Sequence, residues 1–233
     1  MKEAQKTHKA RSGEFYRTVM AGSVLDIGCG DDLCVAHATP FDKEHGDANR
    51  ILDYFPPESF DCVHSSHCLE HMYEPKQSLA DWWKLVKPGG YLVTVVPDEE
   101  LYEQGNWPSL FNFDHKSTFR LGGESSWSPV SQDIRALVQA LPGAQIVSAE
   151  RQDVGYVYGF GRLHRNRSVR LRSYFQRLQS ALYRRKLMGT FAERLVIRTA
   201  NLLGVPYDQT RGIALAQIQI VAQKRRNPLQ ATG

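Results

Sequence analysis

The sequence predicts an α/β fold built on a mostly parallel sheet. One observation is Val24-Leu25-Asp26-Ile27, a short apolar run that ends in Gly28-Cys29-Gly30. A run of this kind bounded by glycine reads as a strand buried on both faces. A second is alternation: strand-like runs at 59–66, 91–96 and 144–150 take turns with helical patterns at 75–86 and 130–140. That alternation winds a parallel sheet with helices on its faces. A third is length, since 233 residues suffice for one such domain plus an insertion.

The composition is that of an ordinary globular chain, 42% hydrophobic and 23% charged. Cys29, Cys34, Cys62 and Cys68 form no Cys-x-x-Cys pair, so reduced intracellular thiols are expected. No histidine and cysteine set has the short fixed spacings of a zinc site, and no metal is expected. Met1 to Lys6 carries no apolar stretch, so no secretory signal is expected, and no run of 18 apolar residues spans a membrane. The expected location is the cytoplasm. Charge is uneven: residues 162–198 hold eleven Lys and Arg against Glu193 alone, a net +10 in a chain of +4, so the remainder carries −6.

In chain order, residues 4–20 read as one leading helix, with Phe15, Tyr16 and Val19 packing it down. The glycines after Ile27 let the backbone turn sharply and approach a ligand closely. A dinucleotide fingerprint would need a third glycine where Leu33 stands. Asp26 would also repel a pyrophosphate, whereas it suits a cationic group. Asp31 to Thr39 is too short for a crossover helix, so a loop or single turn is expected there. Ala38 to Asp42 reads as a second strand, its terminal carboxylate able to accept from both hydroxyls of a ribose. Gly46-Asp47-Ala48 follows, and Asp42, Glu44 and Asp47 remain alternatives for the individual contacts. Ser65-Ser66-His67 leaves the carboxyl end of the next strand, where open α/β sheets bind ligands. Glu74-Pro75 opens a helix whose apolar face holds Leu79, Trp82, Trp83 and Val86, and Gly89-Gly90 stop it. Residues 98–130 form a long irregular segment with Trp107, Phe111, Phe113, Phe119 and Trp127, read as an aromatic pocket wall. Gly212 to Gln223 reads as the last strand.

Asp26-x-Gly28-x-Gly30, Phe60-Asp61-x-Val63, Leu69-Glu70-His71 and Leu85-Val86-Lys87-Pro88-Gly89-Gly90 occur in that order. Together they resemble class I S-adenosylmethionine-dependent methyltransferases of the small-molecule and glycan type, over about two-thirds of the chain. The resemblance implies a Rossmann-like, seven-stranded sheet with its last strand antiparallel. It implies S-adenosylmethionine as cofactor, held by Asp26, Gly28, Cys29, Gly30, Asp42, Asp47, Ala48, Ser65, Ser66 and His67. Residues 1–160 and 205–224 would form the methyltransferase domain, 161–204 a basic helical insertion, and 225–233 a tail.

Methyl transfer from a sulfonium needs an aligned nucleophile and little acid–base machinery. A hydroxyl acceptor gains from a base near neutrality, for which histidine is the usual choice. His67, His71 and His115 are the candidates. His71 follows a glutamate that could orient it, and His115 lies beside Asp114; these two are preferred as catalytic.

In the basic segment, Leu171, Tyr174, Phe175, Leu178 and Leu182 fall at helical spacing, and Phe191, Leu195, Thr199 and Leu202 suggest a second helix. Arg170 to Arg198 suit an anionic membrane surface, at the inner membrane face, or a phosphorylated substrate. Nucleic acid is the disfavoured partner, because the Asn/Asp-Pro-Pro-aromatic motif of base methyltransferases is replaced by Ser65-Ser66-His67-Cys68. The expected activity is methyl transfer to a hydroxyl of a small molecule or lipid-linked glycan. The alternatives are a nucleic-acid methyltransferase and a non-catalytic cofactor-binding subunit. The oligomeric state is not legible.

Overall fold

The computed structural model describes residues 3–123, 125–159 and 168–226. Residues 161–167 of the basic segment and 227–233 of the tail lie outside them. Asp153–Ala216 forms one compact unit, and the rest of the described chain forms the other.

The larger unit is built on a six-stranded sheet in the order β2-β1-β3-β4-β8-β7. Its strands are β1 (Val24–Ile27), β2 (Thr39–Phe41), β3 (Phe60–Ser66), β4 (Val86–Pro97), β7 (Ala144–Gln152) and β8 (Gln217–Lys224). The first four run parallel, and β8 lies antiparallel between β4 and β7. A further parallel ladder pairs β5 (Thr118–Arg120) with β6 (Ser131–Asp133). Among the described residues the main sheet has six strands, not the expected seven. Between Asp42 and Ser59 the chain has turns and a short 3-10 helix, Ala48–Asp53, with no apolar run to extend the edge. Residues 31–38 likewise form turns rather than a crossover helix.

The leading segment is two helices, not one: α1 (Glu3–Ala10) and α2 (Gly13–Thr18). Ser12 causes the break. Its hydroxyl accepts from the Phe15 amide and caps a new helix start. Val19 and Met20 then pack with Val24, Cys62 and Val93 on one face of the sheet.

On the other face, α3 (Pro75–Lys84) presents Leu79, Trp82 and Trp83 to the core. Both indoles are also pinned: Trp82 Nε1 donates to the Ala48 carbonyl and Trp83 Nε1 to that of Pro142, each at 3.0 Å. The helix ends at Lys84, before the expected Gly89-Gly90 stop, and β4 begins at Val86. The helix α4 (Ile134–Gln139) completes this layer, capped by Asp133.

In the smaller unit, α5 (Val169–Arg184) and α6 (Phe191–Leu202) enclose Phe175, Ile197, Ala200, Val205 and Tyr207. The buried face of α6 carries Glu193, Ile197 and Ala200. Phe191, Leu195 and Leu202, whose spacing suggested this helix, are 76%, 56% and 69% exposed. Tyr174 of α5 is exposed as well. No described helix is long and apolar enough to cross a membrane.

Candidate active site

Two adjoining cavities, of about 380 and 630 Å³, open at the carboxyl ends of β1 to β3. Gly28, Asp42 and His67 line both of them. Parallel strands leave their last residues free of the sheet, so side chains and amides there point into one crevice.

Asp26 faces the smaller cavity but is already bonded. Its Oδ2 accepts from the Cys34 amide at 2.7 Å, and His64 Nδ1 lies 2.6 Å from Oδ1. The other imidazole nitrogen of His64, Nε2, lies 3.0 Å from an Arg11 guanidinium nitrogen. A guanidinium only donates, so Nε2 accepts and the proton sits on Nδ1, which donates to Asp26. Burial drives the His64 pKa below its ordinary value despite Asp26, in keeping with a neutral ring. Burial alone would raise Asp26, yet His64 and the Cys34 amide outweigh it and hold the carboxylate below its usual range. Arg11 sits at the α1–α2 break and also donates from Nε to Gln219 at 2.8 Å. The cavity therefore carries a carboxylate and a guanidinium on one buried chain of hydrogen bonds.

Gly28 makes the turn that opens the site. Its φ is +76°, and a Cβ built there would lie 2.6 Å from Cys68 Cβ. The Gly28 amide donates to the Phe41 carbonyl, and the Gly30 amide to Asp42 Oδ2, both at 2.7 Å. Asp42 therefore braces the glycine turn as well as lining the crevice. Cys29 and Ser66 line the smaller cavity with them. Ser65 does not line either cavity. It is fully buried opposite Thr94 in the β3–β4 pairing, and alternation along a strand points neighbouring side chains to opposite faces.

Asp47 and Ala48 line the larger cavity with Asn49 and Tyr73. Asp47 Oδ1 accepts from the Asn49 amide at 2.9 Å and side chain at 2.8 Å, which hold its pKa below the usual value. Trp107, Phe111, Phe113, Phe119 and Trp127, expected as a pocket wall, line neither of these two cavities. Phe119 is core, carried under the sheet by β5, and Phe113 is 85% exposed. That segment contributes Asp114 and Lys116 instead. Lys116 Nζ lies 4.9 Å over the Tyr73 ring and donates to the His71 carbonyl at 2.9 Å.

The two preferred histidines meet. His71 and His115 pack edge to face with ring centroids 5.0 Å apart. His71 lines the larger cavity, and its Nδ1 lies 3.1 Å from Asp114 Oδ2. His115 is buried and lines neither cavity; Glu103 Oε1 takes its Nδ1 at 2.7 Å. Between them Glu70 is buried, and neither carboxylate oxygen accepts a hydrogen bond. His67 Nδ1 approaches Glu70 Oε1 at 3.5 Å, long for a hydrogen bond. Burial would raise the Glu70 pKa, but His67, His115 and His71 outweigh it and hold the group below its ordinary value. His67 itself has φ +52°, a left-handed conformation that a non-glycine residue adopts at a cost.

Arg11, His64 and Glu103 are site residues that sequence reasoning missed, and Glu70, read as orienting His71, is not hydrogen-bonded to it. The β1–β3 register, which sets Asp26 beside His64, would have found one of them.

Residues 34–94 match the protein family described as Methyltransferase domain. The chain is a methyltransferase that uses S-adenosylmethionine. Among solved structures, a SAM-dependent methyltransferase from Archaeoglobus fulgidus is 17% identical, with 94% of each chain covered and a TM-score of 0.49. The YcgJ protein from Bacillus subtilis is 15% identical, with 83% of this chain and 74% of that chain covered and a TM-score of 0.43. No curated protein matches the chain.

Proposed function

We propose that the chain moves the methyl group to a hydroxyl of a small molecule or lipid-linked glycan presented at an anionic membrane surface. The cofactor supplies an activated sulfonium methyl group, and the residues of the crevice fit it. Asp26 and Arg11 offer opposite charges to the amino and carboxylate groups of its methionine end. The Gly28 turn leaves room where a side chain would stand, and Asp42 suits the ribose. Asp47 and Ala48 would flank the adenine. His71 lines the crevice beyond that end and would activate the acceptor hydroxyl, with the buried His115 packed against its ring.

The observation that carries the membrane part is the outer face of α6. Phe191, Leu195 and Leu202 are exposed beside Arg194 and Arg198, and α5 adds Arg170, Arg172, Arg177 and Arg184. Apolar groups interleaved with cations suit a helix lying in a headgroup layer.

The test is transfer of a labelled methyl group to hydroxylated lipid-linked sugars, with and without anionic vesicles. Transfer that rises when vesicles are present is the expected result. Equal rates on water-soluble acceptors would remove the membrane part. Methylation of RNA, or cofactor binding with no turnover on any acceptor, would overturn the reading.

A further inference from the structure

We propose that Glu70, His71 and His115 form a site for one divalent transition-metal ion, beside the larger cavity that His71 lines. One ligand atom from each lies within 4.8 Å of the others, and His115 Nε2 is 3.9 Å from Glu70 Oε1. An ion with bonds of about 2.1 Å would draw such atoms to roughly 3.4 Å, a contraction within side-chain adjustment.

Three features point to a ligand here. The first is Glu70, 1% exposed, whose oxygens accept no close hydrogen bond, the nearest donor being His67 Nδ1 at 3.5 Å from Oε1. A buried carboxylate without close donors is costly, and a cation removes that cost. The second is the orientation of the imidazoles. Glu103 holds Nδ1 of His115, and the Asp114 carbonyl, 3.2 Å away, holds Nδ1 of His71, which leaves Nε2 of each ring for a ligand. A carboxylate behind one imidazole and a backbone carbonyl behind the other are supports that metal-bound histidines take. The third is the count. Two imidazoles and one carboxylate leave coordination positions open toward the cavity, where an acceptor hydroxyl could bind and lose its proton more readily. The donor set suits Zn²⁺, Mn²⁺ or Fe²⁺ over Mg²⁺ and Ca²⁺, which prefer oxygen.

Asp26, Cys34 and His64 form the other candidate cluster among the described residues, but Asp26 is saturated by His64 and the Cys34 amide. The Glu70 site rests on the reading of the cavity as the acceptor side only for its role, not for its existence.

The experiment is calorimetric and optical titration of the full, chelator-treated chain with Zn²⁺, Mn²⁺ and Co²⁺, alongside S-adenosylhomocysteine. Wild type should bind one equivalent, with Co²⁺ giving visible absorption bands of a nitrogen and oxygen site. His115→Ala and Glu70→Gln should lose that binding, and Glu103→Gln should weaken it about 10- to 100-fold. Each variant should keep its affinity for S-adenosylhomocysteine, which certifies the fold; His115→Gln replaces any that does not. Asp26→Asn should do the reverse, losing the nucleoside ligand and keeping the metal. Absence of metal binding by wild type, or binding unchanged in the folded variants, overturns the proposal without touching the methyltransferase assignment.

Discussion

His64 Nδ1 stands 2.6 Å from Asp26 Oδ1, and Arg11 closes the pair from the far side. All three residues line the same cavity. His64→Ala would leave a buried carboxylate and a guanidinium without their shared partner. Hydrogen bonds to charged groups contribute about 1.5–3 kcal/mol, so a stability loss of about 2–3 kcal/mol is expected in urea unfolding. Asp26→Asn keeps the shape but removes the charge, and should weaken S-adenosylhomocysteine binding by at least about tenfold in calorimetry, roughly 1.4 kcal/mol.

Gly28→Ala tests the turn. A side chain at φ +76° costs about 1–2 kcal/mol, and the added Cβ would also meet Cys68 Cβ at 2.6 Å. Loss of cofactor binding together with a lowered Tm is expected. Gly30→Ala shares the positive φ but meets nothing within 4 Å, so it should be the milder change in both readings.

Ser65 and Thr94 face each other across β3 and β4, fully buried, and neither hydroxyl has a hydrogen-bond partner. Thr94→Val keeps the shape and removes an unpaired polar group. It should raise stability by about 1 kcal/mol. A drop of that size instead would show that the hydroxyl is bonded in solution.

Asp61 accepts from the Ser23 hydroxyl at 2.6 Å and amide at 2.8 Å, and from Lys87 at 2.9 Å. The Ser23 hydroxyl and amide, with Lys87, hold its pKa down at about 2. A carboxylate depressed on folding contributes stability above its unfolded pKa and loses it as pH falls toward the folded value. The contribution should therefore be full at pH 5 and fade between about pH 4 and pH 2. Both side chains are more than a third exposed, which limits the amplitude to about 1 kcal/mol or less. Thermal melts of Asp61→Asn should show a flatter decline over that window than wild type.

Replacing Phe191, Leu195 and Leu202 together by serine removes the exposed apolar face of α6 without entering its packed side. Co-sedimentation with anionic vesicles should fall about tenfold, in line with the apolar area withdrawn from the interface. Melting temperature should stay unchanged.

The glycine turn, the parallel strands and the helix of Trp82 and Trp83 were legible because each rests on local signals: an apolar run, a glycine pair, a helical spacing. The site's buried wiring was not. His64 and Asp26 are 38 residues apart, and only the pairing of β1 with β3 brings them together. Ser65 and Ser66 look equivalent in sequence, yet alternation within β3 buries one and leaves the other in the crevice. The α6 helix carries two semi-apolar faces, and periodicity alone could not show that Glu193, Ile197 and Ala200 would be the packed one. Ser12 split the leading helix through a single hydroxyl bond, a cap inside an otherwise continuous pattern.

Having six strands among the described residues also sets where the main sheet stops. β2 is an outer rim of three residues, and its middle residue, Pro40, has no amide hydrogen to offer. A strand arriving from another molecule would find too few donors there to zip onto. The opposite rim, β7, presents Glu150 and Arg151 along its exposed length. Charge on one border and proline on the other are the features that keep open sheets from stacking edge to edge, so the sheet carries its own protection against aggregation.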